Sequence, residues 1–172
     1  MNNQASANVS ERQIALAKYN ASRGNLLLMI VLSAVNIVLL AANLDVMLLF
    51  SASVPYFAVG YGLYDGTKSV FAAALIFAAV CLLIYLLCWL LSKKSPVWML
   101  ISLILFVIDT AFMAWLYISA GEFSGIMDAV IHAYVLYHLI VGVINGFKLK
   151  KLPEIPEEEI IAEPAMTEET AE

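Results

Sequence analysis

Asp109 is the residue of this 172-residue chain whose position most strongly suggests chemistry. It lies near the middle of a long apolar run, and a charge at membrane depth costs at least ~2.5 kcal/mol even on a lenient scale. Its short side chain cannot reach the membrane surface from there. We therefore expect Asp109 to face the protein interior, where it either hydrogen-bonds a polar group of the fourth or first span or takes up a proton.

Polar residues of the neighbouring apolar runs are the natural partners for this carboxyl group. If the third and fourth spans form an antiparallel hairpin, His132 and His138 lie on either side of the level of Asp109, each about three residues, or ~4.5 Å, away from it. Helical spacing places Tyr134, His138 and Asn145 on one face of their span, which we expect to point inward. Asn36 lies near the middle of the first run. The candidate intramembrane polar site therefore comprises Asp109, His132, His138, Tyr134, Asn145 and Asn36.

Two hypotheses describe what such a site could do. It can be interhelical hydrogen bonding that holds the bundle together. It can also be a proton- or ion-linked site, because histidine and a desolvated aspartate exchange protons near neutral pH. The first hypothesis predicts that Asp109→Asn keeps most of the stability, since an amide still forms hydrogen bonds. The second predicts a folded protein that has lost its function.

The remaining motifs predict no catalytic residue, metal or cofactor. The sequence G-E-F-S-G at 121–125 contains Ser124 but lacks the G-x-S-G spacing of intramembrane serine proteases. Asp128 and His132 are four residues apart but have no third ligand for a metal ion. Cys81 and Cys88 lie two turns apart on one helix, too far apart for a disulfide. A bis-histidine haem site would need a histidine on another span. We therefore expect the protein not to be an enzyme.

The elements that position these residues are transmembrane helices. Hydrophobic residues make up 63% of the chain and charged residues 13%, whereas soluble domains are near half apolar and a quarter charged. Four apolar runs have a spanning length, which predicts an all-α, four-transmembrane-helix bundle. The predicted units are an N-terminal segment at 1–23, a transmembrane domain at 24–147 with spans at 24–44, 70–91, 97–119 and 125–147, and a basic-then-acidic, disordered tail at 148–172.

The segment at 46–64 is ambiguous, because it is nearly uncharged and about as long as a span. Pro55 at its centre, Gly60 and Gly62 after it, and its tyrosines argue against a fifth crossing. We expect an outer-face segment that either lies in the interface or forms a re-entrant hairpin turning near Pro55. Re-entrant backbone is tolerated only where protein covers it.

The distribution of positive charge favours four spans with both termini in the cytoplasm. That topology places eight of the nine lysines and arginines inside and only Lys68 outside, as the positive-inside rule requires. A fifth span would move Lys93, Lys94 and the C-terminal basic cluster to the outer face. Because the basic residues flank apolar runs, they indicate membrane topology and no nucleic-acid partner.

Two stretches carry a resemblance to known proteins. The sequences S-R-G-N-L-L-L-M-I-V-L-S-A-V-N-I-V-L-L at 22–40 and L-L-F-S-A-S-V-P-Y-F at 48–57 resemble a group of small bacterial membrane proteins with four spans and no assigned activity. The resemblance implies a bacterial inner membrane and identifies no functional residue.

The predicted function is that of a non-enzymatic accessory or assembly subunit. Its partners would be the lipid bilayer and other membrane proteins. The alternative is a small transporter or channel with a proton-linked site around Asp109 and the fourth span. Four helices seldom enclose a pathway, so this alternative requires self-association.

Overall fold

The computed structural model describes residues 2–44, 46, 48, 50–121 and 126–153, with side chains from residue 9 onward. Residues 122–125 of the G-E-F-S-G stretch and residues 154–172 of the predicted tail lie outside these residues. The tail prediction at 148–172 is wrong for residues 148–151, which belong to the last helix. The described chain is all-helical, as predicted. It contains the helices α1 (Asn2–Ala41), α2 (Ser53–Asp65), α3 (Lys68–Leu91), α4 (Val97–Ala120) and α5 (Ile126–Lys151).

Four of these helices are long and apolar enough to cross a membrane, which confirms the four-span bundle. The three later spans match α3, α4 and α5 closely. The first helix is much longer than its predicted span at 24–44, because α1 already begins at Asn2. Packing explains this extension, since Ala15, Tyr19 and Ser22 in its polar half are buried.

Two glycines allow α1 to pack closely against α5. A Cβ atom at Gly142 would lie 2.8 Å from the Cβ of Ser22. At Gly146 it would lie 2.7 Å from both the Cε2 atom of Tyr19 and the Cβ of Pro96. Small residues at helix contacts permit such close approach inside membranes. The polar half of α1 is therefore held as helix by its contact with the last turns of α5.

Polar contacts gather the start of α1, the end of α5 and the α3–α4 turn at one end of the bundle. The guanidinium of Arg12 donates to the carbonyl oxygens of Leu152 and Pro153, each at 3.1 Å, just past the end of α5. The Tyr19 hydroxyl donates to the carbonyl of Ser92 at 2.7 Å. The sequence-predicted cytoplasmic segments therefore share one end, as antiparallel spans require.

Helix α2 forms most of the ambiguous 46–64 segment and does not cross the bundle. Its 13 residues extend roughly 20 Å, against about 30 Å of hydrocarbon. Its first residues contact Asp109, halfway along α4, and it ends at the turn leading into α3. This geometry fits the re-entrant alternative and not a helix lying flat in the interface.

Candidate functional site

The polar cluster of the bundle surrounds the buried N-terminus of α2. A helix leaves its first backbone N–H groups without intrahelical partners, and in a membrane interior water cannot supply them. The N–H of Ala52 donates to the Ser33 hydroxyl at 2.7 Å, and those of Ser53 and Val54 donate to Asp109. Pro55, the next residue, has no N–H to satisfy. Every donor at this helix start is therefore accounted for.

Asp109 caps α2 from another helix. Its Oδ2 accepts the N–H of Ser53 at 2.9 Å and its Oδ1 accepts that of Val54 at 2.7 Å. The N-cap residue itself, Ala52, has no side chain that could cap the helix. A carboxylate in this position is stabilised both by charge-assisted hydrogen bonds and by the positive end of the helix dipole. Asp109 faces the interior with 3% of its surface exposed.

The partners of Asp109 differ from the sequence-based expectation. We expected a polar group of the fourth or first span, but both carboxylate oxygens bond backbone groups of α2. The nearest group from α5 is His132, whose Nδ1 lies 4.0 Å from Oδ2. This distance is an ionic contact at most, since a hydrogen bond would be nearer 3 Å.

His132 links α5 to α2 and α4 through both ring nitrogens. Its Nε2 lies 3.1 Å from the Ser53 hydroxyl and its Nδ1 lies 3.0 Å from the Thr110 hydroxyl. The Thr110 hydroxyl donates its single proton to the Phe106 carbonyl at 2.8 Å, so Nδ1–H must be the donor to Thr110. The ring also stacks on Phe106 at 4.9 Å.

Asn36 binds the segment of chain that leads into α2. Its amide nitrogen donates to the Leu48 carbonyl at 2.7 Å and to the Ser51 hydroxyl at 2.8 Å. Its amide oxygen accepts the Leu48 N–H at 2.7 Å. The Asn36 amide thus pairs with both the N–H and the C=O of Leu48, as the backbone of a neighbouring β-strand would.

The other three predicted site residues lie away from this cluster. Tyr134 is 47% exposed, and its ring contacts Phe50 and His138. His138 lies between Tyr134 and Tyr137, and Asn145 donates back to the Val141 carbonyl of its own helix. The inward position predicted for Tyr134 is therefore wrong, while His138 and Asn145 are half-buried. The buried face instead carries His132, Val135, Leu139, Gly142 and Gly146.

Sequence reasoning missed the hydroxyl residues Ser33, Ser51, Ser53 and Thr110. A signal for Ser53 was present, since serine shortly before proline in an apolar run is typical of a helix start. We took Pro55 as evidence against a fifth crossing and as the turn of a re-entrant hairpin, but it stands in the first turn of α2, where proline is tolerated. No sequence signal pairs Ser33 or Thr110 with partners far along the chain.

Ser53, His132 and Asp109 superficially resemble a serine hydrolase triad. In such a triad the carboxylate bonds the histidine and free N–H groups bind the oxyanion. Here Thr110 takes the place of the carboxylate at Nδ1, and Asp109 occupies the N–H groups of Ser53 and Val54. Ser53 is also buried. This geometry does not suit acyl transfer.

In the described part of the chain, the cluster adjoins an apolar cavity and no metal site. A cavity of about 130 Å³ lies beside Asp109, but its walls are almost entirely apolar, including Pro55, Ile84 and Leu105. Within the described ranges, no three His, Cys, Asp or Glu side chains are grouped to hold a metal ion. Asp128, which lies four residues before His132, accepts the Tyr117 hydroxyl at 2.5 Å.

The chain matches no family model, no curated protein and no solved structure. Its function must therefore be argued from the polar cluster and the surfaces around it.

Proposed function

We propose that this protein is a small multi-pass subunit of a bacterial inner membrane that performs no reaction of its own and acts through contacts with other membrane proteins. One observation carries the proposal. Among the described residues, every buried side-chain nitrogen and oxygen has a hydrogen-bond partner. The buried polar groups around Asp109 hold the α2 segment in place, and Ser22 and Ser102 bond carbonyls of their own helices. None of these groups is left for a substrate. A polar network whose members are all hydrogen-bonded makes the fold rigid and has no group free to react with a substrate.

The surface that α2 creates is a suitable contact site for a transmembrane helix of a partner. A groove of about 650 Å³ lies between α2, α3 and α4, lined mainly by aromatic and small side chains. Ala58 and Gly60 leave room for a second helix to approach, while Tyr61 and Phe77 flank the groove with exposed rings. Helix α2, capped by Asp109, is thus a fixed part of the proposed interface.

Photocrosslinking in native membranes tests this proposal. A photoreactive phenylalanine analogue replaces Tyr61 or Phe77 in the groove, and Ile144 on α5 as the control; the three are 64%, 49% and 60% exposed. We expect a discrete product with one other membrane protein from the groove positions and only lipid adducts from Ile144. Lipid adducts alone at all three positions would contradict a subunit role, and a product with a second copy would indicate self-association.

A proton-linked transporter is the second candidate, because the His132 ring lies 4.0 Å from the Asp109 carboxylate in the middle of the bundle. Proteoliposomes with an internal pH dye and an imposed potential separate the two functions. We expect proton flux no greater than in empty liposomes. Flux that Asp109→Asn abolishes, while Asp128→Asn preserves it, would favour the transporter.

A further inference from the structure

A polar pocket opens at the end of the bundle that holds the α3–α4 turn. Its volume is about 310 Å³, at the lower end of the range for small-ligand pockets, roughly 300–1,000 Å³. Four cationic side chains line it, and they come from three different parts of the chain: Arg23, Lys93, Lys94 and Lys150. The same lining contains hydroxyl and amide groups but no carboxylate. The pocket therefore selects for an anion.

Arg23 is held in a fixed position within this pocket. Its Nε donates to the Ser92 hydroxyl at 2.7 Å, and its guanidinium lies 5.6 Å from the centre of the Trp89 ring. Its NH2 donates to the Trp89 carbonyl at 3.4 Å. These contacts leave NH1, with its two protons, for a ligand. Because Arg is already ordered, binding an oxyanion costs less conformational entropy than it would with a free side chain.

The start of α4 adds to the positive potential. Its first residues follow Ser95 and Pro96, both of which line the pocket. The N-terminus of a helix carries roughly half a positive charge. Lys150 lies on the other side, with its Nζ 3.4 Å from the Ser95 hydroxyl. Three separate sources of positive charge thus converge on one small volume.

The depth of the pocket matches that of lipid headgroups. Trp89 lies near the end of α3 and Trp98 near the start of α4, and tryptophan is enriched where spans meet the membrane interface. The pocket lies at this end of the two spans. Basic pockets between transmembrane helices at this level bind the head groups of anionic lipids.

We propose that this pocket binds a phosphate group, as carried by the headgroup of an anionic phospholipid. The inference does not depend on the proposed subunit role. Arg23 would contact the phosphate, and Lys93, Lys94 and Lys150 would supply charge at the rim. Soluble phosphate offers the same chemistry, so the test includes both sources.

The experiment compares bound lipids on the full-length protein in neutral detergent, counted by native mass spectrometry. The probes are phosphatidylglycerol and phosphatidylcholine with identical chains. The pocket variant is Lys93→Gln/Lys94→Gln. The control is Lys18→Gln/Lys151→Gln, which removes the same charge from the same end of the bundle outside the pocket. All four lysines are exposed, so the fold should tolerate both changes.

We expect the wild type to bind phosphatidylglycerol at least tenfold more tightly than phosphatidylcholine. Each pocket lysine removed should weaken the binding of phosphatidylglycerol about fivefold. The control variant should change the affinity for phosphatidylglycerol less than twofold. Equal loss in both variants, or no preference in the wild type, would overturn the proposal. Competition by millimolar inorganic phosphate would support the site with a soluble ligand, and lack of competition would support it with a lipid.

Discussion

Asp109 serves as the helix cap that α2 cannot supply from its own sequence. Both of its oxygens accept backbone N–H groups, and Ser33 takes the third donor. Leaving a buried donor unpaired costs about 1–3 kcal/mol. The penalty is avoided only if residues from α1, α4 and the α2 segment assemble together. A mid-membrane carboxylate is thus explained by the needs of its neighbours and not by chemistry of its own.

Asp109→Asn should destabilise the protein, contrary to the sequence-based expectation that an amide would suffice. One amide oxygen can accept only one of the two N–H groups cleanly, and the amide nitrogen would face the other N–H donor to donor. We expect a loss of about 1–3 kcal/mol for Asn and a larger loss for Asp109→Leu. Thermal unfolding in detergent, followed with a thiol-reactive dye that reports exposure of buried Cys88, measures this.

Asp128→Asn is the matched control for that experiment. The Asp128 carboxylate accepts a hydroxyl through one oxygen, Oδ2, and an amide oxygen can replace it. Its effect should be less than half that of Asp109→Asn. Equal melting temperatures for wild type and Asp109→Asn would mean that Asp109 does not cap α2.

At the level of elements, the contact between α1 and α5 should be sensitive to a single methyl group. In Gly146→Ala, the new Cβ would meet Tyr19 and Pro96 at 2.7 Å each, and neither ring can move without disturbing its helix. Overpacking of this kind costs about 1–3 kcal/mol. Gly24→Ala in α1 is the control, because nothing lies within 4 Å of its Cβ position, and alanine is the better helix former.

Thermal unfolding of both glycine variants measures the effect. We expect Gly146→Ala to melt below the wild type, and Gly24→Ala to melt at the same temperature or above it. A Gly146→Ala protein as stable as the wild type would show that α1 and α5 do not approach as closely as the structure has them.

The sequence predicts those elements whose cause is local. Helices α3, α4 and α5 follow their apolar runs, because a run of spanning length between polar turns leaves few alternatives. The start of α1 could not be read in this way, since its polar half is held by contacts with α5. Asp109 was identifiable from its depth alone, but its partners were not. They are backbone groups more than 50 residues away, and backbone carries no sequence signal.

For the whole molecule, contacts join the terminal segments to the α3–α4 turn. The topology then depends only on which side of the membrane this end of the bundle faces. Arg12 reaches the end of α5 and Arg23 reaches Ser92, so these regions must share one side of the membrane. Eight of the nine basic residues belong to this end. Retention of positive charge in the cytoplasm predicts that it is the inner one.

Single-cysteine labelling of intact cells decides the orientation. In a Cys81→Ala/Cys88→Ala background, Lys94→Cys reports the α3–α4 turn and Lys68→Cys reports the opposite end; both lysines are exposed. We expect a membrane-impermeant thiol reagent to label position 68 in intact cells and position 94 only after the cells are opened. Both substitutions remove one lysine, so a difference between them reflects position and not charge.

Labelling of position 94 from outside would mean that the topology is the reverse of the predicted one, and it would also place the phosphate pocket in the outer leaflet. Labelling of both positions from outside would contradict the four-span bundle, because α3 would then fail to cross.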